Sequence, residues 1–154
     1  MTTSTEIFIL SGARTAIGSF GGGLASLRPA ELGEIVIREA ISRAGLAPAD
    51  IQNVVIGTVV ATQPKDAYVS RVAAVKAGIP IDTPAMNVNR LCGSGLQAIV
   101  SAAQGIALGE QDIAIGGGAE SMSNAPLMCL TARNGQKMGD QILMDTMLGA
   151  LHDP

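Results

Sequence analysis

The chain has 154 residues, of which 47% are hydrophobic and 15% are charged, a composition typical of a globular domain and not of a disordered segment. Only 2% are aromatic and 19 are glycine, so small aliphatic side chains in closely packed elements are expected to fill the core. A net charge of −3, a pI near 5.0 and scattered Lys and Arg residues argue against nucleic-acid binding. This composition favours a layered α/β fold.

The first part of the chain predicts one strand and one helix. Residues 6–10 (EIFIL) form a short apolar run, which indicates a first strand buried on both faces, as in a parallel sheet. After a glycine-rich loop, Pro29 opens a helix that is predicted to end at Ala44, before Gly45. Its apolar face is predicted to consist of Leu32, Ile35, Val36, Ala40 and Ala44.

Strands and helices continue to alternate up to about residue 120. Strands are predicted at residues 54–60, 83–89 and 112–116, with a short helix over residues 70–77 and a longer one over residues 93–108. The order βαβαβαβ predicts a mostly parallel sheet with right-handed crossovers and helices on both faces. Ligands of such sheets bind beyond the carboxyl ends of the strands.

The long helix carries no charged residue, because none occurs between Leu91 and Gly109. Its glycine, serine and glutamine content is too high for a membrane span of about 20 residues. A helix without charge on any face indicates burial inside a larger protein. The apolar residues at helical spacing are Leu96, Ile99, Val100, Ala103, Ile106 and Ala107.

Cys92 stands where the third predicted strand ends and this helix begins. Free N–H groups and the helix dipole favour negative charge at a helix N-terminus, so they favour a thiolate and could hold an oxyanion. Gly93, Ser94 and Gly95 leave room for a bulky thioester. The alternative interpretation, which the spacing alone does not exclude, is a small buried apolar residue.

Residues 88–98 (VNRLCGSGLQA) resemble the nucleophile motif of thiolases, the acyltransferases that make or cleave 3-ketoacyl-CoA. Other thiolase-like segments are SGART at 11–15, GGGAESMS at 116–123, KMGD at 137–140 and GALHDP at 149–154. The segments occur in the family's order and are most similar to bacterial β-ketothiolases of the biosynthetic, short-chain type. The resemblance covers essentially the whole chain, but only the N-terminal part of such an enzyme.

The resemblance implies a mechanism. The Cys92 thiolate would attack acetyl-CoA to give an acetyl-enzyme and CoA, with the N–H of Cys92 as an oxyanion donor. A second acetyl-CoA, deprotonated by a cysteine in the C-terminal half, would then take the acetyl group to form acetoacetyl-CoA; thiolysis is the reverse. Leu151 falls at a position that contacts CoA. Coenzyme A thioesters are substrates, so no cofactor is implied.

The resemblance also implies an organisation. Residues 1–120 would be the N-terminal α/β domain without its last strand, and residues 121–154 would begin an irregular loop domain that covers the acyl-CoA. The expected partners are the C-terminal half of the same fold and further copies in a homodimer or homotetramer, without membrane or nucleic acid. The first residues lack a signal-peptide pattern and the chain has two cysteines, so the cytoplasm is the expected compartment.

Four alternatives remain open at this point. His152, the only histidine, could form a dyad with Cys92, although the activating histidine of thiolases lies in the C-terminal half. Glu120 could be catalytic, but a hydrogen bond to the loop around the site is the favoured role.

Cys129 matches no catalytic position, and the spacing of Cys and His does not predict a metal site. The chain could also be a non-catalytic fragment acting in assembly, or a ketosynthase of related fold.

Overall fold

The centre of the computed structural model, which describes residues 6–152, is a parallel three-stranded sheet. Strand β1 (Asn53–Gly57) lies in the middle, between β2 (Ala85–Val88) and β3 (Ala114–Gly118). Both pairings are parallel, with Val54 of β1 in register with a residue of each neighbour. The predicted α/β fold with a parallel sheet is confirmed, and the three strands overlap the predicted segments, most of their bounds lying within about two residues.

β-Branched residues build the central strand and explain why it is buried on both faces. Val54, Val55 and Ile56 are each at most 2% exposed. Because successive side chains of a strand point to opposite faces, Val54 and Ile56 pack in one cluster with α1 (Pro29–Arg43) and α2 (Val69–Lys76). Val55 packs on the other face against α3 (Ser94–Ala107). Helices therefore cover both faces, as predicted.

The buried face of α1 differs from the predicted one. Ala30, Gly33, Ile37 and Ile41 are buried, whereas Ile35 is 49% exposed and the other predicted residues are at most partly buried. Gly33 lies at a close contact between two helices, since a Cβ added there would lie 3.0 Å from the Cβ of Ala73 in α2. Most of the predicted apolar face, Leu32, Val36, Ala40 and Ala44, instead lines a cavity beside β3.

Residues 6–10 are not a strand, so the prediction of a first strand there is wrong. The segment is exposed and lies across a cavity of about 560 Å³ from β3, whose outer edge has no strand beside it within residues 6–152. Just beyond it, the Ser11 hydroxyl donates to the Ala40 carbonyl (2.7 Å), and Arg43 donates to the Gly12 carbonyl (3.0 Å). The segment is thus anchored on α1 and makes no ladder hydrogen bonds with the described sheet.

Helix α3 packs on the sheet through its smallest residues, which are Ser94, Ala98, Ala102 and Gly105. The glycine-rich strand β3 permits this approach, because a Cβ on Gly116 would lie only 2.6 Å from the Cα of Ile99. Larger apolar side chains face outward, and Leu96, Ile99 and Val100 are 69%, 42% and 42% exposed. The predicted helix is confirmed, but the predicted apolar face is the uncovered one.

The chain after Ser121 is irregular, as expected. Two-residue strands β4 (Leu127–Met128) and β5 (Met144–Asp145) form an antiparallel ribbon, and α4 (Thr146–Leu151) follows. The Asp145 carboxylate caps α4 by accepting from the N–H groups of Met147 (2.8 Å) and Leu148 (3.1 Å). Within residues 6–152 no helix combines the length and the apolarity that crossing a bilayer requires.

Candidate active site

Cys92 lies in the turn that joins β2 to α3, two residues before the helix begins, and its side chain is exposed. Because the sheet is parallel, this turn shares an edge with the carboxyl ends of β1 and β3. The predicted position of the thiol is therefore confirmed. The interpretation of Cys92 as a small buried residue is wrong, because the end of β2 carries the thiol to the surface.

Leu91 gives this turn a disfavoured backbone conformation. It has a φ of +48°, and no other non-glycine residue in the described chain has a positive φ. A left-handed conformation costs a residue with a Cβ about 1–2 kcal/mol. Neighbouring hydrogen bonds offset this cost: the Asn89 side chain accepts from the Leu91 N–H at 3.0 Å, and the Ser94 hydroxyl donates to the Leu91 carbonyl at 2.6 Å.

Two backbone donors at the helix start are already used inside the turn. The N–H of Gly93 donates to the Arg90 carbonyl at 3.1 Å, and the N–H of Ser94 donates to the Leu91 carbonyl at 3.0 Å. These two amides are therefore not free to hold an oxyanion, and the role of the Cys92 N–H as donor stays a prediction. Closing a tight turn has consumed them.

Glycines at the strand ends bring the helix start close to the sheet. A Cβ on Gly57, the last residue of β1, would lie 2.4 Å from the carbonyl carbon of Ser94. A Cβ on Gly118 would lie 3.2 Å from the Cα of Gly95. Any larger residue at Gly57 would displace the backbone that follows Cys92, so the thiol has a defined position relative to the sheet edge.

Glu120 binds the loop after β1. Its carboxylate accepts from the N–H groups of Val59 (2.8 Å) and Val60 (3.1 Å), which confirms the expected contact with a loop at this edge. The structure adds Thr58, whose hydroxyl oxygen is buried and has no partner within residues 6–152. Burying an unpaired hydroxyl costs about 1–3 kcal/mol. The sequence could not predict this buried hydroxyl, because a threonine after a strand is usually paired or exposed.

Residues 7–153 match the family described as the thiolase N-terminal domain. This chain belongs to that family. It is 60% identical over 149 residues to beta-ketothiolase BktB of Cupriavidus necator, covering 97% of this chain and 38% of the relative. It is 45% identical over 144 residues to an acetyl-CoA acetyltransferase of the same organism, covering 94% of this chain and 36% of the relative. The chain thus spans little more than a third of these relatives, and the resemblance is confirmed.

Solved structures give the same result for the fold. The Bacillus anthracis acetyl-CoA acetyltransferase superposes with a TM-score of 0.90 at 36% identity, covering 95% of this chain and 37% of that one. The human mitochondrial 3-ketoacyl-CoA thiolase in complex with CoA superposes with a TM-score of 0.92 at 36% identity, over the same shares. The predicted thiolase-like fold is confirmed.

The other predicted residues of this thiolase domain do not reach Cys92 through the contacts described. His152 follows α4 and is exposed, and no hydrogen bond joins it to Cys92 within residues 6–152. Leu151 is 61% exposed at the end of α4, so its contact with CoA stays a prediction. No group of three or more His, Cys, Asp or Glu side chains in the described part could hold a metal ion.

Cys129, the second thiol of this thiolase domain, lies after β4, with its Sγ 3.6 Å from the Thr131 hydroxyl oxygen. That side-chain contact holds the pKa of Cys129 below its usual range, and backbone hydrogen bonds from Thr131 and Ala132 act in the same direction. A partly exposed thiol with a lowered pKa is reactive toward alkylating reagents. Cys129 is thus a natural reference thiol for measurements on Cys92.

Proposed function

We propose that this chain carries the nucleophile of an acyl-CoA C-acyltransferase, which condenses two acetyl-CoA to acetoacetyl-CoA and CoA or catalyses the reverse thiolysis. The observation that carries the proposal is the exposed Cys92 thiol, presented beside the start of α3 in a turn with a defined geometry. The names of the relatives, beta-ketothiolase and acetyl-CoA acetyltransferase, support this reaction class.

Each step of the reaction has a stated requirement. Cys92 attacks the thioester carbonyl as a thiolate, its sulfur–carbon bond forms, and CoA leaves with the bonding electrons and takes up a proton. The oxyanion in between needs hydrogen-bond donors, and the Cys92 N–H is the donor proposed from this chain. The second acetyl-CoA must lose an α-proton, and we assign that base to residues outside this chain. The resulting carbanion attacks the acetyl-enzyme and releases Cys92.

We also propose how the chain divides. Residues 1–120 form an α/β domain that lacks its last strand, and residues 121–154 begin the loop domain, with Leu151 contacting CoA. The 560 Å³ cavity beside β3 supports the proposal of a missing strand. Apolar residues of α1 and α3 line this cavity, and no described strand pairs with the outer edge of β3. These residues are Leu32, Val36, Ala40, Ile99, Ala103 and Ile106. A strand from a later part of the protein would pair with β3 and fill the cavity.

An exposed helix face and the family resemblance indicate the remaining partners. The outward face of α3 exposes Leu96 and Val100, and we propose that the C-terminal half of the enzyme covers it. Assembly as a homodimer or homotetramer in the cytoplasm is proposed from the family resemblance.

The test uses a chimera in which residues 1–154 replace the matching N-terminal part of the Cupriavidus necator beta-ketothiolase. After incubation with acetyl-CoA and acid quenching, peptide mass spectrometry should find the added acetyl group on Cys92. Cys92→Ser should remove that label and most turnover, because an alcohol is far less ionised than a thiol near neutral pH. Cys129→Ser is the matched control and should keep both. Acetylation of Cys129 with Cys92 unmodified would contradict the proposal.

A further inference from the structure

Ser94 occupies an unusual place for a serine at a helix start. Gly93 is the N-cap of α3 and Ser94 is the first helical residue, so Ser94 is not in the position of a capping serine. Its hydroxyl bonds backward: it accepts from the Arg90 N–H at 2.8 Å and donates to the Leu91 carbonyl at 2.6 Å. Both contacts stabilise the turn that precedes the helix.

The turn needs this support because of Leu91. A leucine at φ +48° relaxes toward negative φ unless its surroundings hold it. Leu91 is 61% exposed, so packing of its side chain does not provide the restraint. The restraint comes from hydrogen bonds at both of its peptide groups, and Ser94 supplies the shortest one.

Ser94 itself is fixed, so the restraint reaches the sheet. The residue is 4% exposed, and its backbone lies against Gly57 at the end of β1. Cys92 follows Leu91 in the chain. Its position relative to α3 therefore depends on the fixed Ser94 hydroxyl and on the disfavoured φ of Leu91. Loss of the hydroxyl would weaken the hold on the Leu91 carbonyl and let the thiol move away from the helix start.

We propose that Ser94 is a positioning residue, which holds Leu91 in the left-handed conformation so that Cys92 stays beside the N-terminus of α3. This role rests on the proposed function of Cys92 as a nucleophile. It concerns the placement of the thiol and makes no use of acyl-CoA, so it can be tested without turnover.

The experiment measures the rate at which iodoacetamide alkylates Cys92 in the 154-residue chain, by peptide mass spectrometry, as a ratio to the rate of Cys129. Ser94→Ala should lower the ratio about two- to five-fold, the size of a lost charge interaction at a helix end. Ser101→Ala, a serine-to-alanine change two turns further along α3, should leave the ratio unchanged. An unchanged ratio in Ser94→Ala, or an equal fall in Ser101→Ala, would overturn the proposal.

Two substitutions at the exposed Leu91 test the same point without touching Ser94. Asparagine tolerates a positive φ whereas a β-branched residue does not, so Leu91→Ile should lower the ratio and Leu91→Asn should keep it. Adding Leu91→Asn to Ser94→Ala should restore most of the ratio, which a general loss of stability would not do. Equal ratios for Leu91→Ile and Leu91→Asn would refute the role of Ser94 even if Ser94→Ala fails to fold.

The two hypotheses fail separately. If Cys92 takes no acetyl group in the chimera while the alkylation ratios change as expected, the proposed function is wrong and the positioning role stands. If Cys92 is acetylated and the ratios do not change, only the positioning role is overturned.

Discussion

Gly57 and Ser94 pack so closely that a Cβ on Gly57 would lie 2.4 Å from the carbonyl carbon of Ser94. Gly57→Ala should therefore push the start of α3 away from the sheet, because backbone cannot yield as a side chain can. We expect the free energy of unfolding to fall by about 1–3 kcal/mol, as for other overpacked sites. Urea denaturation followed by circular dichroism, at one fixed protein concentration, measures this change.

Gly117→Ala is the matched control, because Gly117 lies beside β1 in the same sheet and a Cβ added there would have nothing within 4 Å. Its effect on unfolding should stay within about 0.5 kcal/mol. Gly57→Ala should also slow alkylation of Cys92, whereas Gly117→Ala should not. Equal stability of the two variants would show that α3 can shift without cost.

The sequence was sufficient to predict most elements of this fold, but not which faces of the helices are buried. The helical spacing of apolar residues correctly predicted that α1 and α3 are helices, each with a stripe of larger apolar side chains. The residues that pack inside α3, however, are small ones such as Ala98 and Ala102, which face a strand rich in glycine. Two backbones can pack closely only where the side chains between them are small. A search for hydrophobic residues at helical spacing does not detect that requirement.

The position of Cys92 could be predicted, because a strand, a turn and a helix follow each other within a few residues. The left-handed Leu91 could not, since leucine carries no signal for a positive φ and the turn depends on the Ser94 hydroxyl. The absence of a strand at residues 6–10 could not be predicted from the sequence either. An apolar run indicates a strand, but a strand exists only where a neighbour supplies hydrogen bonds.

Thr131 should control the reactivity of Cys129. Its side chain is the main cause of the lowered pKa of Cys129, so Thr131→Val should raise that pKa and reduce the thiolate fraction at any pH below it. The pH profile of Cys129 alkylation should therefore move to higher pH. Thr131→Ser keeps the hydroxyl and should leave the profile in place. A profile that is the same in the valine and serine variants would contradict this assignment.

The 154-residue chain should self-associate, because α3 exposes a face of large apolar side chains. Leu96→Glu should reduce the mean mass measured by light scattering, since it places a charge on that face. Ile81→Glu is the control: Ile81 is 74% exposed, close to the 69% of Leu96, but lies in a turn outside α3. A stable monomer of the unsubstituted chain would contradict the prediction, as would an equal effect of both substitutions.

Residues 1–154 alone should have no thiolase turnover, and the chimera with the C-terminal part of the relative should have it. Thiolysis and condensation both need a base beside Cys92 and a second group that moves the α-proton. A positioned acid or base typically contributes about 10²–10⁴-fold, whereas a helix N-terminus contributes only about 0.3–1 kcal/mol at an exposed site.

His152 is the only histidine of the chain and would have to serve both functions. It lies exposed after α4, and within residues 6–152 no hydrogen bond connects it to Cys92. His152→Ala in the chimera should therefore leave turnover unchanged, whereas Cys92→Ser should abolish most of it. Turnover is measured as loss of acetoacetyl-CoA with added CoA or as its formation from acetyl-CoA. Activity of the purified 154-residue chain that disappears with His152→Ala would show that the chain carries its own dyad.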